Sequence, residues 1–182
     1  VQLRLKDVSE KKFLKLAKEV REITSHFQTR LIINDHYKIA IAIKADGVHL
    51  GKTDTCPTLA RKHLYSWQII GGTANTIQDC KTLIDKEVDY ITLSPFRIAP
   101  EEASLGTVLG LNGYTAIIET LQTETPIIGF GDITTDDVTD ILETGISGIA
   151  VSEAITKNFD SIRIFNLLLK ASATEEQRHT FK

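Results

Sequence analysis

The chain has 182 residues, a formal charge of −3 and 42% hydrophobic residues, enough for one domain with a full core. Its near-neutral balance gives no electrostatic footprint for nucleic acid or an anionic membrane surface. No apolar run reaches transmembrane length, no signal-peptide pattern is present, and Cys56 and Cys80 match no metal spacing, so they read as reduced thiols in a cytoplasmic protein.

Residues 1–6, VQLRLK, alternate apolar and polar and predict a strand with Gln2, Arg4 and Lys6 on one face. On a surface strand that face meets solvent; inside a barrel it forms a polar site. Residues 9–27 predict an amphipathic helix with Phe13, Leu16, Ala17, Val20 and Ile23 on its apolar stripe, and its many charges read as a solvated face. Residues 31–33 are a short buried strand, and Asn34 and Asp35 follow where the chain leaves the sheet. A helix over 36–44 leads to a strand over 47–50 and a turn that ends at Asp54. Next come a short helix over 57–65, a strand over 68–73, a helix over 76–86 and a strand over 89–94. The irregular segment 95–110 far exceeds the ~2–6 residues usual for a βα loop and reads as a lid or binding loop, with a disordered insertion as the alternative. A helix over 111–121 precedes a strand over 126–130, which Gly131 and Asp132 follow. Thr134 or Thr135 caps a helix over 135–143, with Asp136 and Asp137 in its first turn. A last strand over 148–151 gives way to Ser152 and Glu153. A final helix covers 159–170, and 172–182 is a polar tail.

Strict alternation of strand and helix argues for a parallel sheet with right-handed crossovers. An open doubly wound sheet is one solution, although no GxGxxG supports a dinucleotide fold. Two features favour a barrel. Polar residues and glycines cluster after nearly every strand, and the chain opens inside a strand and has no methionine. The expected fold is therefore α/β, a (β/α)8 TIM barrel of parallel strands whose first βα unit lies outside this sequence. It forms one domain over 1–171, with the tail beyond. Asp35 and Asp54 sit at equivalent places past the C-terminal ends of two strands, where such folds bind ligands. If those strands are neighbours, the carboxylates converge on one hard cation beside Asn34. Taken alone, an Asn-Asp pair after a strand is more often a turn or a cap. Two carboxylates at matching strand ends, together with Arg4 and Lys6, shift the balance to a site. His49 reads as packing or a local hydrogen bond, and His36 has no partner that the sequence names.

Several motifs in order carry a family resemblance: Gln2-x-Arg4-x-Lys6, Asn34-Asp35, GVHLGKTD ending at Asp54, IIGGTANT from Ile69 to Thr76, SPFR, LGL, PIIGFGDI and GIAVSEAI. Together they resemble the thiamine phosphate synthases over nearly the whole chain. The resemblance implies a (β/α)8 barrel that joins hydroxymethylpyrimidine diphosphate to a thiazole phosphate and releases diphosphate. It implies Asp35 and Asp54 as Mg2+ ligands. Arg4, Lys6 and Asn34 become catalytic groups around the diphosphate. Gln2 and Thr73 orient the pyrimidine, and Arg97, Gly131, Val151 and Ser152 belong to substrate binding. The implied partners are these small molecules, with no nucleic acid and no membrane; the oligomeric state stays open, a homo-oligomer included.

The chain also departs from the family. The TxTK lid motif is expected within 98–103, where this sequence reads IAPEEA and places Ala99, Glu101 and Glu102 at its threonine and lysine positions. Asp132 replaces the second glycine of a Gly-Gly pair, and Glu153 replaces a small residue after Ser152. Each new carboxylate would repel a phosphate group at close range, by ~1 kcal/mol or several per pair in a shielded site. Arg97 could supply part of the lost lysine's charge, and Asp132 and Glu153 could instead be caps that face away. Two alternatives to a synthase follow: a non-catalytic or regulatory paralogue that keeps the barrel, and a thiazole tautomerase-like protein. The tautomerase needs a positioned acid/base where this chain has Asn75.

Overall fold

The structure is a computed structural model that describes residues 1–98 and 108–173. The expected lid positions Ala99, Glu101 and Glu102, and the tail from 174 onward, lie outside the described residues. The strands are β1 (Gln2–Leu3), β2 (Ile32–Asn34), β3 (Gly47–Leu50), β4 (Ile69–Ala74), β5 (Tyr90–Leu93), β6 (Ile127–Phe130) and β7 (Gly148–Ala150). The helices are α1 (Glu10–His26), α2 (Tyr37–Ala42), α3 (Pro57–Arg61), α4 (Ile77–Asp85), α5 (Gly110–Leu121), α6 (Val138–Glu143), α7 (Glu153–Thr156) and α8 (Ser161–Ala173). The seven strands form one sheet in sequence order, and β1–β2, β2–β3, β3–β4 and β6–β7 pair in parallel. No described helix is long and apolar enough to cross a membrane. The described chain groups into two compact units: Val1–Thr73 with Lys81–Ile91, and Ala74–Cys80 with the described part of Thr92–Lys182.

In the first unit, the near-continuous apolar runs of β2 and β3 are buried on both faces, with Leu31, Ile33 and Val48 fully enclosed. The N-terminal strand ends are tied by carboxylates. Asp46 Oδ2 accepts from the Leu31 amide (2.7 Å) and from Arg21 Nη1 (2.6 Å). Asp89 Oδ2 repeats the device with the Ile70 amide (2.7 Å) and Arg61 Nη2 (2.6 Å). Ser9 caps α1 by accepting from the Lys12 amide. The buried stripe of α1 runs Phe13, Ala17, Thr24, so Ile23 is exposed, contrary to the expected stripe. The spacings of four and seven residues define one helical face, and Ile23 lies a full residue step, about 100°, off it. Thr24 is tolerated inside because its hydroxyl donates to the Arg21 carbonyl.

In the second unit, Ser147 Oγ accepts from the Ile127 amide at the start of β6. The C-terminal ends of β5 and β6 are braced by Tyr114 of α5, which is fully buried. Its hydroxyl donates to the Leu93 carbonyl (2.9 Å) and accepts from the Phe130 amide (3.1 Å). The expected helix over 135–143 opens as a 3-10 turn, Thr135–Asp137, ahead of α6. Thr134 is its cap, in a reciprocal capping box with Asp137.

Candidate active site

In the first unit, the C-terminal ends of β2 and β3 gather the polar side chains. Asn34 pairs in register with His49, so the two strands are neighbours, as convergence of Asp35 and Asp54 requires. Past Asn34 the backbone turns sharply. Asp35 adopts φ +64°, a left-handed conformation that aspartate tolerates better than most residues, and its amide still donates to the His49 carbonyl (2.8 Å). This holds the Asp35 carboxylate above the strand end. Asp54 folds back over its own turn, with Oδ2 accepting from the Gly51 amide (2.6 Å). The Asp54 carboxylate lies close enough to act on Asp35. Burial, and after it the neighbouring Asp54 carboxylate, raise the Asp35 carboxyl above its usual range, while Asn34 and the charge of Arg4 act in the opposite sense.

Further side chains join this pair. Asn34, buried, donates from Nδ2 to Asp35 Oδ1 (2.5 Å) and accepts at Oδ1 from Gln2 Nε2 (2.5 Å). Gln2, Asn34 and Asp35 thus form one hydrogen-bonded chain, with Asp54 beside it and the Arg4 charge within reach. Arg4 and Lys6 are themselves exposed, past the end of a β1 that is shorter than expected. Thr73 bonds instead to His49: Oγ1 lies 2.8 Å from Nε2, and Nδ1 lies 3.1 Å from the Tyr90 hydroxyl. Burial pushes the His49 imidazole down to about 4, so it is neutral at pH 7.

This donor set fits a hard divalent cation. Two carboxylates lie close together, and among the described residues no group of three or more His, Cys, Asp or Glu side chains is arranged to hold a metal. Mg2+ is commonly held by one or two carboxylates, with water and substrate phosphate completing its shell.

In the second unit, the loops after β5 and β6 are stitched together. The Phe96 amide donates to the Phe130 carbonyl (2.8 Å) and the Arg97 amide to the Gly131 carbonyl (3.1 Å). Gly131 has φ +116°, and a Cβ there would strike the Phe96 amide, so only glycine fits. The Arg97 side chain points to Asp137. Nη2 and Nη1 donate to its two carboxylate oxygens (2.7 and 3.1 Å), and Nη1 also donates to the Asp132 carbonyl (2.9 Å). Asp132 is exposed, at φ +44°, a conformation suited to the glycine expected there. Phe130 pairs with Ala150, so Gly131 and Val151 leave adjacent strand ends. Ser152 caps α7 through its carbonyl, which accepts from the Ile155 and Thr156 amides. The Glu153 carboxylate lies 2.6 Å from Lys157 Nζ on an exposed helical turn.

Sequence reasoning missed three groups: Tyr90, Tyr114 and the Arg97 partner Asp137. It left His36 without a partner, whereas the His36 ring packs edge-on against Phe13 at 4.9 Å. A tyrosine on an otherwise apolar strand or helix face was the available signal, since a buried phenol needs a hydrogen-bond partner.

A family model described as "Thiamine monophosphate synthase" matches residues 1–155. A thiamine-phosphate synthase of Flavobacterium johnsoniae is 40% identical over 161 residues, covering 87% of this chain and 76% of its own. One from Bacteroides fragilis is 37% identical over 174 residues, covering 92% and 85%. Among solved structures, a thiamine phosphate pyrophosphorylase from Pyrococcus furiosus superposes with a TM-score of 0.78 at 26% identity, covering 92% of this chain and 83% of its own. The chain belongs to the thiamine monophosphate synthase family.

Proposed function

We infer that this chain is a thiamine-phosphate synthase, a transferase that joins hydroxymethylpyrimidine diphosphate to a thiazole phosphate and releases diphosphate. The observation that carries the reading is the convergence of Asp35 and Asp54 at neighbouring strand ends in a chain of this family. Strands laid in sequence order support a (β/α)8 barrel as the parent fold.

The reaction breaks the C–O bond between the pyrimidine's methylene carbon and its diphosphate, and the electron pair leaves with the diphosphate. The thiazole nitrogen supplies its lone pair to that carbon. Asp35 and Asp54 would hold Mg2+, which when bound neutralises charge on the diphosphate oxygens. Arg4 and Lys6 bind the same leaving group, Arg as a fork and Lys as a point charge. Asn34, held between Gln2 and Asp35, keeps the carboxylate oriented and adds a neutral donor. Thr73 and Gln2 orient the pyrimidine. The backbone around Gly131, Val151 and Ser152 offers N–H groups to the thiazole phosphate. Arg97 contributes by fixing that backbone, since its guanidinium is engaged by Asp137 and Asp132.

The acidic departures do not favour a non-catalytic paralogue. Glu153 is matched by Lys157, and Asp132 occupies a left-handed position through its backbone. The tautomerase reading lacks its acid/base, because the Asn75 amide donates to the Ser94 carbonyl at 2.7 Å. Two thiols, Cys56 and Cys80, accord with a cytoplasmic protein acting on small molecules. The test is turnover. Incubation with both substrates and Mg2+ is expected to yield thiamine phosphate and diphosphate in equal amounts, and EDTA is expected to stop it. Absence of thiamine phosphate under these conditions contradicts the reading.

A further inference from the structure

The chain Tyr90–His49–Thr73, buried at its imidazole, has a direction. Among the described residues the Tyr90 hydroxyl has one hydrogen-bond partner, His49 Nδ1, at 3.1 Å. Tyr90 is half-buried, and with that nitrogen as its protein partner the phenol proton points to it, so Tyr90 donates and Nδ1 accepts. A neutral imidazole carries its single proton on the other nitrogen. Nε2–H therefore donates to Thr73 Oγ1 at 2.8 Å. That bond occupies the Thr73 oxygen as an acceptor and leaves its own proton to be donated elsewhere. Thr73 is only half-buried and follows the glycine pair of β4. The strand is built to allow this relay. Gly71 is paired in register with His49, and a Cβ at Gly71 would overlap the Tyr90 ring. A larger residue there would displace the phenol that sets the direction.

We propose that Tyr90 and His49 are positioning residues that commit the Thr73 hydroxyl to act as a hydrogen-bond donor, toward an acceptor ring nitrogen of the pyrimidine substrate. The proposal rests on the synthase reading above and adds to it a specificity device that distinguishes a ring with an acceptor nitrogen from one that presents a donor there. Without Tyr90 the imidazole is free to take the other tautomer. Thr73 then donates inward to Nε2, and its oxygen meets the ring nitrogen lone pair to lone pair.

The test compares Tyr90→Phe, Thr73→Val and the double variant with the wild type. Each single variant is expected to raise KM for the pyrimidine diphosphate by roughly five- to tenfold, the size of one hydrogen bond. The double variant is expected to be no worse than Thr73→Val, because both act on the same bond. KM for the thiazole phosphate stays at its wild-type value, which a general loss of packing would not spare. A rescue arm uses His49→Gln, whose amide N–H can donate to Thr73; it is expected to keep most of the affinity that His49→Leu loses. The proposal is overturned if Tyr90→Phe leaves KM unchanged, if the two effects multiply, if both KM values move together, or if His49→Leu matches His49→Gln. An inactive wild type would contradict the synthase reading rather than the relay. The same comparison is then made on calorimetric binding of the pyrimidine diphosphate, and no binding by the wild type, or equal binding by wild type and Tyr90→Phe, overturns the relay.

Discussion

The strand ends of the first unit and those of the second treat charge in opposite ways. After β2 and β3, burial first and then the neighbouring Asp54 carboxylate raise the Asp35 carboxyl, and among the described residues only the Asn34 amide and the charge of Arg4 act against that shift. After β6 and β7, the charges near the strand ends are matched within the protein: Arg97 with Asp137, and Glu153 with Lys157. A like-charge pair held together by the fold is costly unless something from outside joins it, and this is how a cation site differs from a structural ion pair. A matched pair asks for no partner. The sequence departures thus lose much of their force, because two of the new carboxylates lie where the fold already accommodates them.

The largest expected effect breaks the unmatched pair. Asp35→Ala is expected to lower turnover by about a thousandfold or more, as loss of a group that neutralises transition-state charge does. Adding Asp54→Ala should cost little further, because the two act on one ion. Steady-state kinetics across a Mg2+ series reads both, and an unchanged rate for Asp35→Ala removes the metal assignment.

The second prediction uses acid. The folded pKa of His49, about 4, lies below its unfolded value of ~6.5, so the unfolded state binds more protons between them. Its contribution to stability is full above pH ~6.5 and is lost as pH falls toward 4, by at most ~3 kcal/mol. Asp35, raised instead, has the opposite sign and offsets part of this loss as it takes up its proton. Denaturant melts at pH 7 and 4.5 should show a smaller drop in His49→Gln than in wild type. Equal drops would mean that the imidazole is not held neutral by burial.

A smaller effect is expected in the second unit. Arg97→Ala should raise KM for the thiazole phosphate by roughly tenfold through slackening of the loop after β6, with little change for the pyrimidine diphosphate. The pair is partly exposed, so stability should fall by no more than ~1 kcal/mol. Asp137→Asn should reproduce the kinetic change, and a different profile would separate the two residues. Smallest of all is Glu153→Gln, which should leave KM within about twofold and stability within a few tenths of a kcal/mol. A several-fold gain in affinity for the thiazole phosphate would show instead that this carboxylate repels the ligand.

The grouping of Asn34, Asp35 and Asp54 at the first candidate half-site could be argued from the sequence. Asp35 and Asp54 each follow a short apolar strand, and consecutive strands of a βα alternation are usually neighbours, so their convergence follows from the sequence pattern. The element order was legible for the same reason. What could not be read is side-chain reach across long separations. Arg97 meets Asp137 forty residues on, and Tyr90 meets His49 forty-one residues back. Each pairing depends on strand register and on a glycine that clears the space. Nor does a sequence reveal that Asp132 stands in a left-handed turn where its backbone, rather than its charge, has the structural part. The exposure of Ile23 shows a similar limit, because one step of helical phase decides which of two adjacent residues is buried.

The most direct test of the central claim is calorimetric titration of the pyrimidine diphosphate into the wild type and Asp35→Asn, with and without Mg2+. The account predicts binding that Mg2+ strengthens by tenfold or more in the wild type, and by much less once Asp35 is neutral. Equal enhancement in the two proteins would contradict it, and would mean that the neighbouring carboxylates are a feature of the turn rather than a cation site.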